Sequence, residues 1–346
     1  MRPGTVVVIS LTALVAACNG SPAPSPLSGL GSAGGGSGSG AVVETTSPRR
    51  AAIDMAPSVK RVTLDEAHVV LPTPLAFELV DPGKGTRAPL RYAFARGTVD
   101  YPVETRLKSR HLENGAWSPI VEQPPFRDGF AIAAGDRPGL LAIRALPAVI
   151  GGTKTPEAEQ YMATWTALLA NRRMTATVDD RGQLSALELS DDLQHTKGPA
   201  ARDEAMQRLL GMVVPLPEQP VGVGASWRVT TALRQGTAVV KQTATYTLTA
   251  RSAAEWKIHV KLRRDAEPQP VDAGALPQGT LVELVAIFRV LEGDVTVMPT
   301  RPLGVAKLAL ESRVHAKITP PHEVPIEQLL EDTGELEMSA TPEPAP

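Results

Sequence analysis

The sequence predicts an α+β fold: a large curved antiparallel sheet, half-barrel-like and built from two candidate related halves, packed on two or three helices. Long segments alternate apolar and polar residues with period 2, which is the mark of strands buried on one face. Two other segments repeat apolar residues at i, i+3, i+4 and i+7, which marks amphipathic helices. Few helices beside many antiparallel strands define the class.

The chain opens on a targeting segment. Arg2 and the amino terminus supply positive charge, and Thr5 to Ala17 supply 13 mostly apolar residues before Cys18. This is the layout of a secretory signal peptide over residues 1–17, too short for the roughly 20 residues of a bilayer span. From Asn19 to Gly40, 17 of 22 residues are Gly, Ser or Pro. Such a composition cannot offset its ordering entropy, so residues 18–58 read as a tether reaching about 30 Å.

The ordered domain is expected over 59–335, with candidate halves 75–215 and 216–335. Glu255 to Arg263 sets Trp256, Ile258, Val260 and Leu262 against Lys257, His259, Lys261 and Arg263. Thr243 to Ala250 turns Ala244, Tyr246, Leu248 and Ala250 inward, and Ala306 to Ile318 does so with Leu308, Leu310, Val314 and Ile318. Further strands are expected at 75–80, 90–95, 99–110, 140–146, 174–178, 183–189, 227–233 and 281–290. One helix is expected where Ala158, Tyr161, Met162, Trp165, Leu168 and Leu169 share a stripe, with Thr155 as cap and Pro156 at the first helical position. A second carries Met206, Leu209, Leu210 and Val213 behind Pro199, and a short third is expected at Ile326 to Leu330. The two halves echo each other at an offset of 139 residues, with Trp117 and Trp256 each following a glycine by 20. Residues 336–346 read as a disordered tail. From Pro321 onward the chain holds seven acids and no Lys or Arg, the pattern of a solvated acidic end.

Composition excludes several functions. With 35 Lys and Arg against 37 Asp and Glu, the net charge of −2 disfavours nucleic acid as a partner. A single cysteine excludes an intramolecular disulfide framework and zinc sites built on several thiolates. His322-Glu323 begins like an HExxH zinc motif, but Ile326 stands where the second His belongs and Pro325 interrupts the helix. Gly222-Val223-Gly224-Ala225-Ser226-Trp227 lacks the third glycine of a dinucleotide loop, and no GxSxG elbow supports Ser226 as a nucleophile. Asp179-Asp180-Arg181-Gly182 lacks the remaining acids of a calcium loop and reads as a hairpin turn. No catalytic residue, metal ligand or cofactor site follows from these motifs.

Val15-Ala16-Ala17-Cys18 resembles the bacterial lipobox. The resemblance implies cleavage before Cys18, lipidation of its sulfur, and anchorage in the cell envelope. Asn19 is not the Asp that resembles an inner-membrane retention signal, so the outer membrane is the expected address. PLRYAFARGT, TATVDDRGQLSALEL and PLPEQPVGVGASWRVTTAL resemble segments of a group of bacterial lipoproteins that share a Gly-x-Ser-Trp strand start. More remotely, the architecture resembles the LolA-like and LppX-like half-barrel carriers, which implies an apolar concavity for acyl chains.

Two candidate surfaces follow. Tyr246, Leu248, Trp256, Ile258 and Leu308 are the candidate apolar lining of a ligand cavity, or else plain core. Arg106, Lys108 and Arg110, then Lys257, His259, Lys261 and Arg263, then Arg313, His315 and Lys317 form a basic sheet face if their strands are neighbours, or else an ordinary charged exterior. The expected function is a non-enzymatic envelope lipoprotein, membrane-bound through its anchor, that binds or carries an apolar or lipidic ligand. The alternatives are a structural or assembly lipoprotein acting through protein contacts and, last, a hydrolase.

Overall fold

The computed structural model describes residues 59–64, 67–72, 74–113, 115–135, 137–147, 149–151, 173–189, 213–235, 238–271 and 278–342. Every regular element among them is a strand, and every pairing is antiparallel. The chain begins with β1 (Val59–Leu64), β2 (Ala67–Pro72), β3 (Pro74–Asp81) and β4 (Lys84–Ala88), and continues through β5 (Gly97–Glu113), β6 (Ala116–Trp117) and β7 (Val121–Glu122). Next come β8 (Phe126–Ala134), β9 (Leu140–Ala145), β10 (Val149–Ile150), β11 (Arg173–Val178), β12 (Leu184–Leu189) and β13 (Val221–Val223). The second half holds the longest run: β14 (Ser226–Gln235), β15 (Ala238–Arg251), β16 (Trp256–Ala266), β17 (Gln269–Val271), β18 (Leu281–Val297), β19 (Val305–Thr319), β20 (Ile326–Met338) and β21 (Thr341–Pro342).

The expected α+β class is therefore corrected to all-β for the described residues. The segments read as the first two helices, 155–169 and 199–213, lie outside those residues except for Val213. The third, Ile326 to Leu330, is the start of β20. Its Ile326, Leu329 and Leu330 mimic a helical stripe only because Leu329 is apolar on the outward side, where it pairs with Leu112. Residues 90–95, read as a strand, run as irregular chain whose amides serve different neighbours: Tyr92 donates to Asp180 and Ala93 to Pro299. Conversely β8 escaped the sequence reading, because the mid-strand Asp128 and Gly129 interrupt its alternation.

One continuous ladder organises the sheet, in the order β3–β14–β15–β16–β18–β19–β20–β5–β8–β9–β11–β12. The β1–β2 hairpin lies beside β12, the far end of that ladder. The two candidate halves interleave, since β3 pairs with β14 and β20 with β5, so neither closes by itself. Trp117 and Trp256, equivalent in the sequence echo, differ in placement: Trp117 is exposed on β6, and Trp256 is buried on β16.

The sheet curls onto itself. Ile132 and Ile143 of β8 and β9 join Val229, Tyr246 and Ile258 of β14 to β16 in one apolar core, although their strands are far apart along the ladder. Alternation explains why these residues meet. On β16 Trp256, Ile258, Val260 and Leu262 are buried, while Lys257, Lys261 and Arg263 are exposed. Trp227 anchors the same core: its ring stacks on Tyr246 at 5.6 Å, and its indole N–H donates to the Pro215 carbonyl at 2.7 Å.

Two turns fix the ends of the strands. Between β11 and β12, Asp179 Oδ1 accepts the amides of Arg181 and Gln183, and Gly182 takes φ +76°. Ahead of β14, Gly222 lies so near β4 that a Cβ there would sit 2.1 Å from the Lys84 carbonyl oxygen. The glycine-rich run before Trp227 thus seats one ribbon of chain, β4–β13, against the sheet.

Truncating a buried tryptophan costs about 3 to 5 kcal/mol, against a total domain stability of about 5 to 15 kcal/mol. Trp256→Ala is expected to lower the melting temperature markedly and Lys257→Ala to leave it nearly unchanged. Thermal unfolding of the two variants side by side checks the inward assignment, and equal tolerance of both contradicts it.

Candidate functional site

The interior of the curled sheet holds the expected lining. Leu248 and Ile258 are fully buried, Trp256 and Tyr246 nearly so, and Leu308 is half-buried against them. They are core neighbours: the Tyr92 ring stands 6.0 Å from Trp256. Burial pushes the phenols of Tyr92 and Tyr246 far above their ordinary range, and that of Tyr101 up to about 12, so all three are neutral at pH 7. A cavity of about 50 Å³ lies among Ile132, Leu141, Val229, Thr231, Gln242 and Tyr246. That is room for a few waters, well below the roughly 300 to 1,000 Å³ of a small-molecule site.

One polar feature crosses this apolar interior. Thr231 of β14 is opposite Gln242 of β15, which is opposite Arg264 of β16, then Arg289 of β18, Ser312 of β19, Asp332 of β20 and Ser109 of β5. These seven side chains form one in-register row spanning about 29 Å at the usual strand spacing. Six of the eight buried polar residues among those described belong to it. The row is internally bonded. Arg264 Nε donates to Gln242 Oε1 at 2.8 Å, Arg289 Nε reaches Ser312 Oγ at 3.5 Å, and Ser109 Oγ donates to Asp332 Oδ1 at 2.7 Å. Burial, and then the adjacent Arg289, push the Arg264 guanidinium down to about 9, which still leaves it cationic at pH 7. The sequence gives no local signal for this row, because each member stands alone in its own strand, where it breaks the apolar alternation.

Of the two readings of the outward face, the structure shows the ordinary charged exterior and not a continuous basic one. β16 and β19 are separated by β18, and β19 and β5 by β20, so acids stand between the basic strands. Lys261 meets Glu292 at 2.7 Å, and His259 lies between Asp294 at 3.0 Å and Glu292 at 3.5 Å. Glu331 of β20 receives Arg110 at 2.5 Å on one side and Arg313 at 3.1 Å on the other. His315 faces Glu327 at 3.7 Å, and Lys108 faces Glu122 at 3.7 Å. Glu327 and Glu331, two of the acids read as a solvated end, are thus cross-strand partners of the basic rows. Exposed pairs of this kind contribute roughly 0 to 1 kcal/mol each, and their main effect is on which strand lies beside which.

The remaining motif residues have structural places. Ser226 opens β14, opposite Thr247 and Asp81, and His322 lies exposed in the turn between β19 and β20 with φ +62°. Cys18 lies outside the described residues. No protein-family profile matches the chain, and no curated protein is similar to it.

Two outcomes follow from this geometry. Gln242→Leu removes the acceptor of a buried, charged donor and is expected to cost about 1.5 to 3 kcal/mol in urea unfolding, while Gln242→Leu with Arg264→Met regains most of that loss. A double variant as unstable as the single one contradicts the pairing. On the outer face, Arg127 and then Arg106 hold the Glu104 carboxyl below its ordinary 4.5 by hydrogen bonding. A lowered carboxyl pKa stabilises the fold fully above 4.5 and loses that contribution as pH falls through the folded value. Melting curves should therefore separate wild type from Glu104→Gln at pH 7 and bring them together at strongly acid pH. A gap that is constant with pH refutes this.

Proposed function

We propose that this is a lipid-anchored bacterial envelope protein, not an enzyme, held at the outer membrane through Cys18 and acting by binding through the outside of its sheet. The observation that carries the reading is the filled interior. The residues read as a ligand lining are core, and the cavity beside Tyr246 measures about 50 Å³. Support for the anchor is the run Val15-Ala16-Ala17-Cys18 at the end of the apolar leader. Each acyl CH₂ buried in the bilayer contributes about 0.8 kcal/mol, so two or more chains hold a water-compatible domain at the surface.

The carrier reading stands second. Thr231 and Gln242 set polar groups against the apolar walls of the cavity, as a site for an amphiphile does. It requires the interior to open by several times its present volume.

Two measurements decide. Cell fractionation of wild type and Cys18→Ala is expected to move the protein from the membrane to the soluble periplasm, with acyl mass lost from the chain. Wild-type protein that lacks acyl mass and leaves the membrane without detergent sinks the anchor. A lipid extract of the purified protein, read by mass spectrometry, is expected to contain no stoichiometric ligand, and a stoichiometric lipid would promote the carrier reading.

A further inference from the structure

The two rims of the curled sheet carry opposite charge. Antiparallel pairing brings to one rim the loops after β3 and before β14, together with the β8–β9, β11–β12, β15–β16 and β18–β19 turns. Backbone hydrogen bonds lace these segments into one cap: Tyr92 donates to Asp180, Ala95 to Thr300 and Leu216 to Arg181.

Cations crowd this cap. Arg91 and Arg181 take most of the acids at hand, Arg91 meeting Asp180 at 3.4 Å and Arg181 meeting Asp179 at 3.7 Å and Glu218 at 3.4 Å. Among the described residues of these segments that leaves Asp81 and Glu255 against Lys84, Arg87, Arg96, Arg137, Arg251 and Arg301, none of which makes an ion pair there. Arg87 donates to the Gly83 carbonyl, and Arg251 to those of Ala88 and Val221, which orients each guanidinium without cancelling its charge. Arg96 and Arg301 are drawn side by side by the bond from Ala95 to Thr300, and Gly97 opposite Ala134 brings the turn that holds Arg137 next to them.

The other rim reverses the sign. Its described turns hold Glu267 and Glu323 and no Lys or Arg. Between the rims, the outward wall pairs cation with acid across neighbouring strands. The charge of the domain is thus separated along its strands, and an anionic surface attracts one rim and repels the other.

We infer that the basic rim lies on a bilayer that contains anionic phospholipid, as a second membrane contact beside the anchor. The inference rests on the reading of Cys18 as that anchor. The chain from Cys18 to β1, whose composition gives a reach of about 30 Å, keeps the domain beside the bilayer without choosing which face meets it. Charge makes the choice, since each Lys or Arg near an anionic surface strengthens binding about fivefold. With the basic rim down, the strands run away from the membrane and the outward wall is left free to meet other molecules.

Vesicle flotation of the purified mature chain, residues 18–346 with Cys18→Ser, tests it; this chain keeps every described residue and cannot be acylated at that position. It is expected to float with vesicles of phosphatidylcholine and phosphatidylglycerol in equal parts, not with phosphatidylcholine alone, and to be released as salt rises. Arg96→Gln, Arg137→Gln and Arg301→Gln together should weaken that binding tenfold or more. Lys108→Gln, Lys241→Gln and Lys317→Gln together, which remove as much charge from the wall, should have a far smaller effect. If the first triple variant melts early, Arg96→Gln with Arg137→Gln, both at exposed positions, should still weaken binding about fivefold or more. Equal binding to both vesicles, binding to neither, or equal losses from the two triple variants overturns the inference. Failure of the anchor shows separately, as wild-type protein without acyl mass in cell fractionation.

Discussion

The sheet depends on register, and register is held by a row of polar side chains inside an apolar core. A strand that slips by one residue turns its whole inner face outward. For β16 that slip would bury Lys257, Lys261 and Arg263 and expose Trp256, Ile258 and Leu262. Apolar packing opposes such slips but tolerates a slip of two, which restores the alternation. The row from Thr231 to Ser109 does not tolerate it, because a shift of two residues would part Arg264 from Gln242 and Asp332 from Ser109 and leave buried polar groups unmatched. Buried polar groups of this kind add little net stability, and their use is to select one arrangement among several.

The outer face repeats the lesson with weaker contacts. β20 carries Glu327, Glu331, Glu335 and Glu337 outward, between strands rich in Lys and Arg. Its acids would repel one another as a lone hairpin arm, and they are placed favourably only between β19 and β5. β20, the last long strand among the described residues, therefore joins the sequence-distant β5 to β19 in the ladder. That is a non-local closure, of the kind that folds slowly.

What could be read from the sequence was whatever depends on neighbours in the chain. The alternation of β15, β16 and β19, the turn at Asp179 and the outward aim of His259 and His315 all follow from period 2 and turn chemistry. Features that depend on partners far along the chain stayed hidden. A lone Arg289 or Ser312 looks like an error in an apolar face until Arg264 and Asp332 stand beside it. The basic strands left a continuous patch open as an alternative because nothing local says that β18 and β20 come between them. The acidic end looked like a tail for the same reason, since glutamates without visible partners read as solvated.

The apolar core on the inner face of the sheet holds together only while each strand keeps its register. The central claim is the register itself, and engineered disulfides read it directly. In a Cys18→Ser background, Lys307→Cys with Glu337→Cys places two thiols opposite each other on one face of β19 and β20, and Lys307→Cys with Leu336→Cys places them on opposite faces. Mild oxidation is predicted to cross-link the first pair nearly completely and the second hardly at all. The reverse yields, or equal yields, would contradict the register and with it the polar row.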